Sequence, residues 1–373
     1  METEIPNQPA DDVEGIDSPE SAGWGDYPLD SVFVRTDART VRDVVMRINN
    51  NRYDLNPDFQ REFLWDAGKQ SRLIESCVMR IPLPVFYVAE ARDGRIIVVD
   101  GLQRLTTFKH FLNNEFKLKL PKPEQEGAGE NLLHGKRFDQ LPLNLQERIE
   151  DTQLTLYILD AKAPERAKLD IFDRVNSGVM LTRQQMRNSL YNGPATKWLH
   201  SVATSDVFLN ATGRSLNPKT MRDREAINRF CGFQIKGWQS YKSADMDGFL
   251  ADTLERMNKM DDDQREALRQ CFELSMRNNT MLFGPHAFRK SLAQEQGSRF
   301  VLNIALFDVC SVYFAGIPET KVKDSAERYR AIIRDLITNP DFDHAITYST
   351  NSVVQIRNRF QMMNAAMEMF AGD

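Results

Sequence analysis

The chain is poor in the residues from which most metal centres and covalent active sites are made. Its 373 residues include only four cysteines and five histidines. Cys77, Cys231, Cys271 and Cys310 are scattered without the paired spacing of a zinc or disulfide framework, so each reads as a core thiol in a reducing compartment. His110, His134, His200, His286 and His344 stand apart. Asp343 and His344 form a pair by adjacency alone, with no further ligand at a useful distance. There is no GxxxxGK[ST] phosphate loop. Long apolar runs are missing too. The most apolar window, Phe300–Gly316, is interrupted by Asn303 and Asp308, is too short and polar to span a bilayer, and reads as a buried helix. The polar, acidic start of the chain argues against a signal peptide, so a cytoplasmic protein with no membrane partner is expected.

Positive charge is absent from the first 34 residues, which hold nine acidic residues and no Lys or Arg. Together with their prolines, this predicts disorder over residues 1–24 and an acidic tail over 1–27. The net charge of −5 argues against a general nucleic-acid coat protein. All of it comes from the first 34 residues, because the rest of the chain has 44 acidic against 48 basic residues and is slightly basic. A local DNA-binding face is therefore permitted.

What is present is strongly patterned. Ile96–Val99 is a run of β-branched residues, which predicts a buried strand. Asp100–Gly101 breaks it, and Leu105, Phe108, Phe111, Leu112 and Phe116 then recur at the spacing of one helix face. Strand, tight turn and helix follow one another, with Gly101, Gln103 and Arg104 at the turn. Backbone N–H groups at such a helix start are unpaired and favour an anion. Set against this is a plainer reading, in which Asp100 is an N-cap and Arg104 a solvated charge. Elsewhere, Ser31–Val34 reads as a strand and Thr40 as the cap of a helix through Val41, Val44, Val45 and Ile48. A helix carrying Leu73, Ile74 and Cys77 stops at Ile81–Pro84. Val85–Val88 predicts a strand antiparallel to 96–99, residues 121–130 a flexible insertion, Leu154–Leu159 a strand, and Pro164 the start of a helix. Thr182 with Gln185 forms a capping box. Past residue 190 only helical patterns remain, so the fold class is α+β followed by an all-helical part. Arg357 and Arg359 in the last helix read as a solvated face.

Three pieces in order, Phe59–Trp65 (FQREFLW), Val99–Arg104 (VDGLQR) and Phe172–Gly178 (FDRVNSG), resemble the N-terminal domain family of GmrSD-type modification-dependent restriction enzymes, with a ParB/sulfiredoxin-like fold. The resemblance runs over about residues 28–192 and implies a nucleotide-binding domain there, with residues 193–373 as the helical domain. The usual central motif is Asp-Gly-Gln-Gln-Arg; here Leu102 takes the third position, which removes one amide. The resemblance implies Mg²⁺-dependent binding, and hydrolysis, of a nucleoside triphosphate. Carried over by position, Asp100, Gln103 and Arg104 are catalytic, and Asp100 holds the metal. Gln60, Arg61, Gly101, Arg104, Arg174 and Asn176 bind the nucleotide. Sulfiredoxin chemistry is set aside, because no cysteine lies near Asp100. The His-centred nuclease module of full-length relatives is also missing from the sequence. The leading expectation is a regulatory component of a prokaryotic anti-phage or restriction system that acts with a separately encoded effector. The alternatives are a stand-alone nuclease nicking DNA, modified DNA included, and a non-enzymatic antitoxin-like partner.

Overall fold

The computed structural model describes residues 13–15, 34–55, 65–91, 93–120, 132–164, 167–171, 182–294 and 298–371. The chain forms two compact units that divide within the helix Arg183–Leu190: Asp26–Leu181 with Asn188–Leu190, and Thr182–Arg187 with Tyr191–Asp373, which also takes in the N-terminal strand β1 (Val13–Glu14).

The mixed unit is built on a sheet of β2 (Val34–Thr40), β3 (Tyr53–Asp54), β4 (Phe86–Glu90), β5 (Ile96–Asp100) and β6 (Gln153–Leu159), in the order β2-β6-β4-β5-β3. β2 with β6 and β4 with β5 are antiparallel, whereas β6 with β4 and β5 with β3 are parallel. Strand alternation sends Phe86, Val88, Ile96, Val98, Leu154, Leu156 and Ile158 to one side. There they share a core with α1 (Val41–Asn49), α2 (Ala67–Val78), α3 (Leu102–Leu112) and α4 (Leu143–Glu150). α1 contributes Val41, Val44, Val45 and Ile48, and Thr40 caps it by accepting from the Asp43 N–H at 3.2 Å. Phe108 and Phe111 of α3 are fully buried, each contributing about 2 kcal/mol of apolar transfer. These helices fix α3 against the sheet, and so fix the corner from which it starts.

Two expectations need correcting here. β2 runs over Val34–Thr40, well past the end of the expected strand Ser31–Val34, of which residues 31–33 lie outside the described residues. Its sequence, VRTDART, has no apolar alternation because it is an edge strand. Charged pairs line it, Arg39–Asp37 at 2.8 Å and Arg35–Glu90 at 3.1 Å, and pairing with β6 along its whole length holds it in place. The acidic tail is also not uniformly without structure. β1 pairs in parallel with β7 (Leu302–Asn303), the Thr350 hydroxyl donates to the Gly15 carbonyl at 2.8 Å, and Lys290 holds Glu14 at 3.0 Å and Asp343 at 2.9 Å. Composition averages over a segment and cannot register three residues that find a strand edge and a lysine. The expected insertion at 121–130 lies outside the described residues, as does most of the helix expected from Pro164.

Burial lowers the Lys290 pKa, but hydrogen bonds to Asp343 and Glu14 and their charges outweigh it, so the value is raised. A raised folded-state value stabilises at every pH below the ordinary lysine range and is lost as pH climbs through the raised value. Lys290→Met is therefore expected to speed hydrogen exchange of the peptide spanning residues 13–15 at neutral pH. Wild type should show that acceleration only in strong alkali. Equal exchange in both proteins at pH 7 would show that the ion pair does not hold the strand.

The helical unit comprises α5 (Arg183–Leu190, as far as Arg187), α6 (Pro194–Ala203), α7 (Asp206–Thr212), α8 (Arg222–Lys236), α9 (Met246–Lys259), α10 (Asp262–Phe283), α11 (Ile304–Phe314), α12 (Glu319–Asp324), α13 (Ala326–Thr338), α14 (Pro340–Thr347) and α15 (Val353–Ala371). The Thr182–Gln185 capping box is present. α11 is deeply set, with every residue from Ile304 to Ser311 buried, as its apolar sequence requires. Its two polar interruptions both have partners. Asn303 caps the helix by accepting from the Leu306 N–H at 2.8 Å. Asp308 receives Arg229 at 2.9 and 2.6 Å and Arg359 at 2.7 Å. Arg359 is therefore fully buried rather than on a solvated face, while Arg357 is exposed as expected. All four cysteines are free, and burial pushes the Cys77 thiol up to about 11. Among the described residues no helix is long and apolar enough to cross a membrane.

Candidate functional site

The corner between β5 and α3 is shaped by one glycine. Gly101 has φ +98° and stands at the N-cap position of α3, where no side chain makes a capping hydrogen bond. A side chain there would be strained by φ alone, and its Cβ would fall 2.9 Å from Phe86 Cε1 and closer still to Cδ1. Asp100 is therefore not the N-cap. The β4–β5 register slips just before it: Tyr87 lies opposite Asp100 and Val88 opposite Val98, so Val99 is an extra residue that turns the strand end.

Arg104 points back into this corner. Its guanidinium lies over the Phe86 ring, 4.2 Å from the centroid, and its side chain is 11% exposed. Nη1 donates to the Pro84 carbonyl, while Nη2 donates to Val85 O at 3.1 Å and to Asp100 Oδ2 at 3.0 Å. Burial draws its pKa below the ordinary guanidinium value in spite of Asp100. Arg104 is thus not the solvated charge of the plainer reading. Both terminal nitrogens are engaged within the protein, holding Asp100 and the Pro84–Val85 backbone. No sequence signal marks Pro84 and Val85 as acceptors; Pro84 lies next to the residue that starts the approach to β4, and only the folded chain brings its carbonyl within reach.

Gln103 joins two of the three sequence pieces. Its Oε1 accepts from the Trp65 N–H at 3.3 Å, and the Trp65 carbonyl in turn accepts from the nearly buried Gln70 Nε2 at 2.7 Å. Trp65 is thus tied to the α3 start. Gln70 is a positioning residue that the sequence did not single out. Leu102 packs against the core of the unit. Gln60, Arg61, Arg174 and Asn176 lie outside the described residues.

Residues 41–192 match the family model for the GmrSD restriction endonuclease, N-terminal domain. This segment is similar to that family. The match covers less than half of the chain, and no curated protein matches the chain. The β5–α3 corner, Gln103 and Arg104 all lie inside the matched segment, whose α+β fold is the one described above.

Among the described residues no three His, Cys, Asp or Glu side chains converge as a metal group. Asp100 is 42% exposed and shares its carboxylate with Arg104. One such carboxylate suits a Mg²⁺ that arrives with its nucleotide, since that ion is commonly held by one or two carboxylates plus substrate phosphates. It does not suit a resident metal centre. Asp343 and His344 form no dyad: Asp343 binds Lys290, and the His344 ring packs against Tyr348 at 5.2 Å.

Proposed function

We propose that the GmrSD N-terminal domain of this chain binds and hydrolyses a nucleoside triphosphate at the β5–α3 corner, and that nucleotide state governs a separately encoded effector in restriction or anti-phage defence. The observation that carries this reading is the start of α3. Its first turn has no side-chain cap, Gly101 leaves the backbone bare, and a buried guanidinium stands behind it. Helix N–H groups and their partial positive charge then face any oxyanion at that point. Phosphoryl transfer needs positioning and charge neutralisation more than a covalent nucleophile, which agrees with the lack of Ser–His or Cys–His groupings in the motif.

In this reading Asp100 meets the nucleotide and its Mg²⁺, which supplies neutralising charge to the phosphates. Arg104 acts through Asp100, holding its carboxylate in one orientation. Gln103 ties Trp65 to the site, and Gln60, Arg61, Arg174 and Asn176 are the further nucleotide contacts proposed from the motif.

The test is calorimetric binding and phosphate release with each of the four nucleoside triphosphates and MgCl₂. At least one nucleotide should bind, and Asp100→Asn should slow turnover by about 10²-fold. Leu102→Gln, which restores the usual motif, should raise turnover. If no nucleotide binds to wild type or to Leu102→Gln, the proposal fails.

A further inference from the structure

The helical unit contains a concentration of unneutralised positive charge. Arg187, Arg229, Arg289 and Arg359 are its fully buried arginines. Three of them face a carboxylate: Arg187 pairs with Asp247, and Arg229 and Arg359 share Asp308. Arg289 faces none among the described residues. Its Nη1 donates to Ala287 O at 2.7 Å, its Nη2 to Thr212 O at 2.6 Å and to the Ser215 hydroxyl at 2.7 Å, and its Nε is buried without a hydrogen-bond partner. Carbonyls and a hydroxyl satisfy donors but leave the charge in place.

A second guanidinium sits beside it. Arg299 packs its exposed side chain onto Gly213, the left-handed residue that ends α7. Measured from the point a Gly213 Cβ would occupy, Arg299 Cζ is 3.4 Å away and Arg289 Nη2 is 3.6 Å away. The two groups are thus at most 7.0 Å apart, the sum of those distances. No ion pair involves Arg299 among the described residues. The pair repels: burial and then the charge of Arg299 draw Arg289 down to about 10. Glycine at 213 is what allows a guanidinium to lie on the backbone at this point.

We propose that the corner formed by Gly213, Ser215, Arg289 and Arg299 is a binding site for a phosphomonoester-type dianion. Arg299 makes the contact from the exposed side, and Arg289 supplies its field from beneath. Two positive charges without a counter-ion match a dianion, whereas a carboxylate or a phosphodiester would leave one of them uncompensated. Guanidinium groups also have the planar donor geometry that suits phosphoryl oxygens.

The test uses the full chain and thermal unfolding, with inorganic phosphate as the probe and sodium chloride at matched ionic strength as the control. Phosphate at ten times its dissociation constant should raise the wild-type midpoint by about 3–5 °C over the chloride control. Arg299→Ala should lose that rise, and Asp100→Asn should keep it, which separates this site from the β5–α3 corner. Arg299→Glu places a carboxylate beside Arg289. It should be more stable than wild type in phosphate-free buffer and indifferent to phosphate. An equal rise with chloride, a rise that persists in Arg299→Ala, or an Arg299→Glu protein no more stable than wild type would each overturn the proposal. So would displacement of phosphate by an oligonucleotide lacking terminal phosphates, since that result would assign the corner to a diester backbone.

Discussion

Gly101→Ala is expected to lower the stability of the mixed unit by about 3 kcal/mol, the sum of a non-glycine residue held at positive φ and a methyl group driven into Phe86. For a unit of this size that is a drop of roughly 10 °C in the unfolding midpoint. The two causes can be separated. Shortening the ring in Gly101→Ala/Phe86→Leu makes room for the methyl but leaves the backbone strain, so the double variant should recover only part of the loss. It also removes the ring beneath Arg104, so nucleotide binding should not return with stability. Chemical denaturation of the wild type, both single variants and the double variant completes the cycle. Gly101→Ala unfolding within about 0.5 kcal/mol of wild type would mean that the corner tolerates a side chain, and the account of Gly101 would be wrong.

Asp308→Ala is expected to be the most damaging single change in the helical unit, costing about 3–5 kcal/mol. The carboxylate is completely buried between Arg229 and Arg359, and both depend on it. Arg359 also donates to Thr350 O, and Arg229 to Asn351 Oδ1 at 3.1 Å, so this one charge ties α8, α11 and α15 to the 350–351 turn. Without it two guanidinium groups remain in a dry interior with like charge and no counter-ion. Asp308→Ala combined with Arg359→Met should therefore be more stable than Asp308→Ala alone, because removing a stranded charge outweighs losing its remaining hydrogen bonds. Urea denaturation followed by circular dichroism measures both. A double variant no better than the single one would locate the damage in the cavity rather than the charge.

Much of the mixed unit was legible in sequence because its signals are local. The β-branched run at 96–99, the turn at Gly101, Thr40 as a cap and the Thr182–Gln185 box each need only near neighbours, and each appears where expected. The motif pieces identified the family for the same reason. Less legible were features whose partners are far away in sequence. The strand Val34–Thr40 exists because β6, more than a hundred residues later, pairs with it. Asn303 and Asp308 looked like flaws in an apolar helix, and are its cap and the anchor of two arginines.

The sequence alone determined the order of elements, the faces they bury and the glycine on which the β5–α3 corner turns, because apolar period and backbone freedom are written residue by residue. Only the tertiary structure decided where the long charged side chains end. Arg104 turns inward to Pro84, Val85 and Asp100, Arg359 inward to Asp308, and Glu14 across to Lys290. The physical reason is that a guanidinium or ammonium group goes to whatever carbonyls and carboxylates the fold brings within about 3 Å, and those acceptors come from segments that carry no matching pattern in the chain.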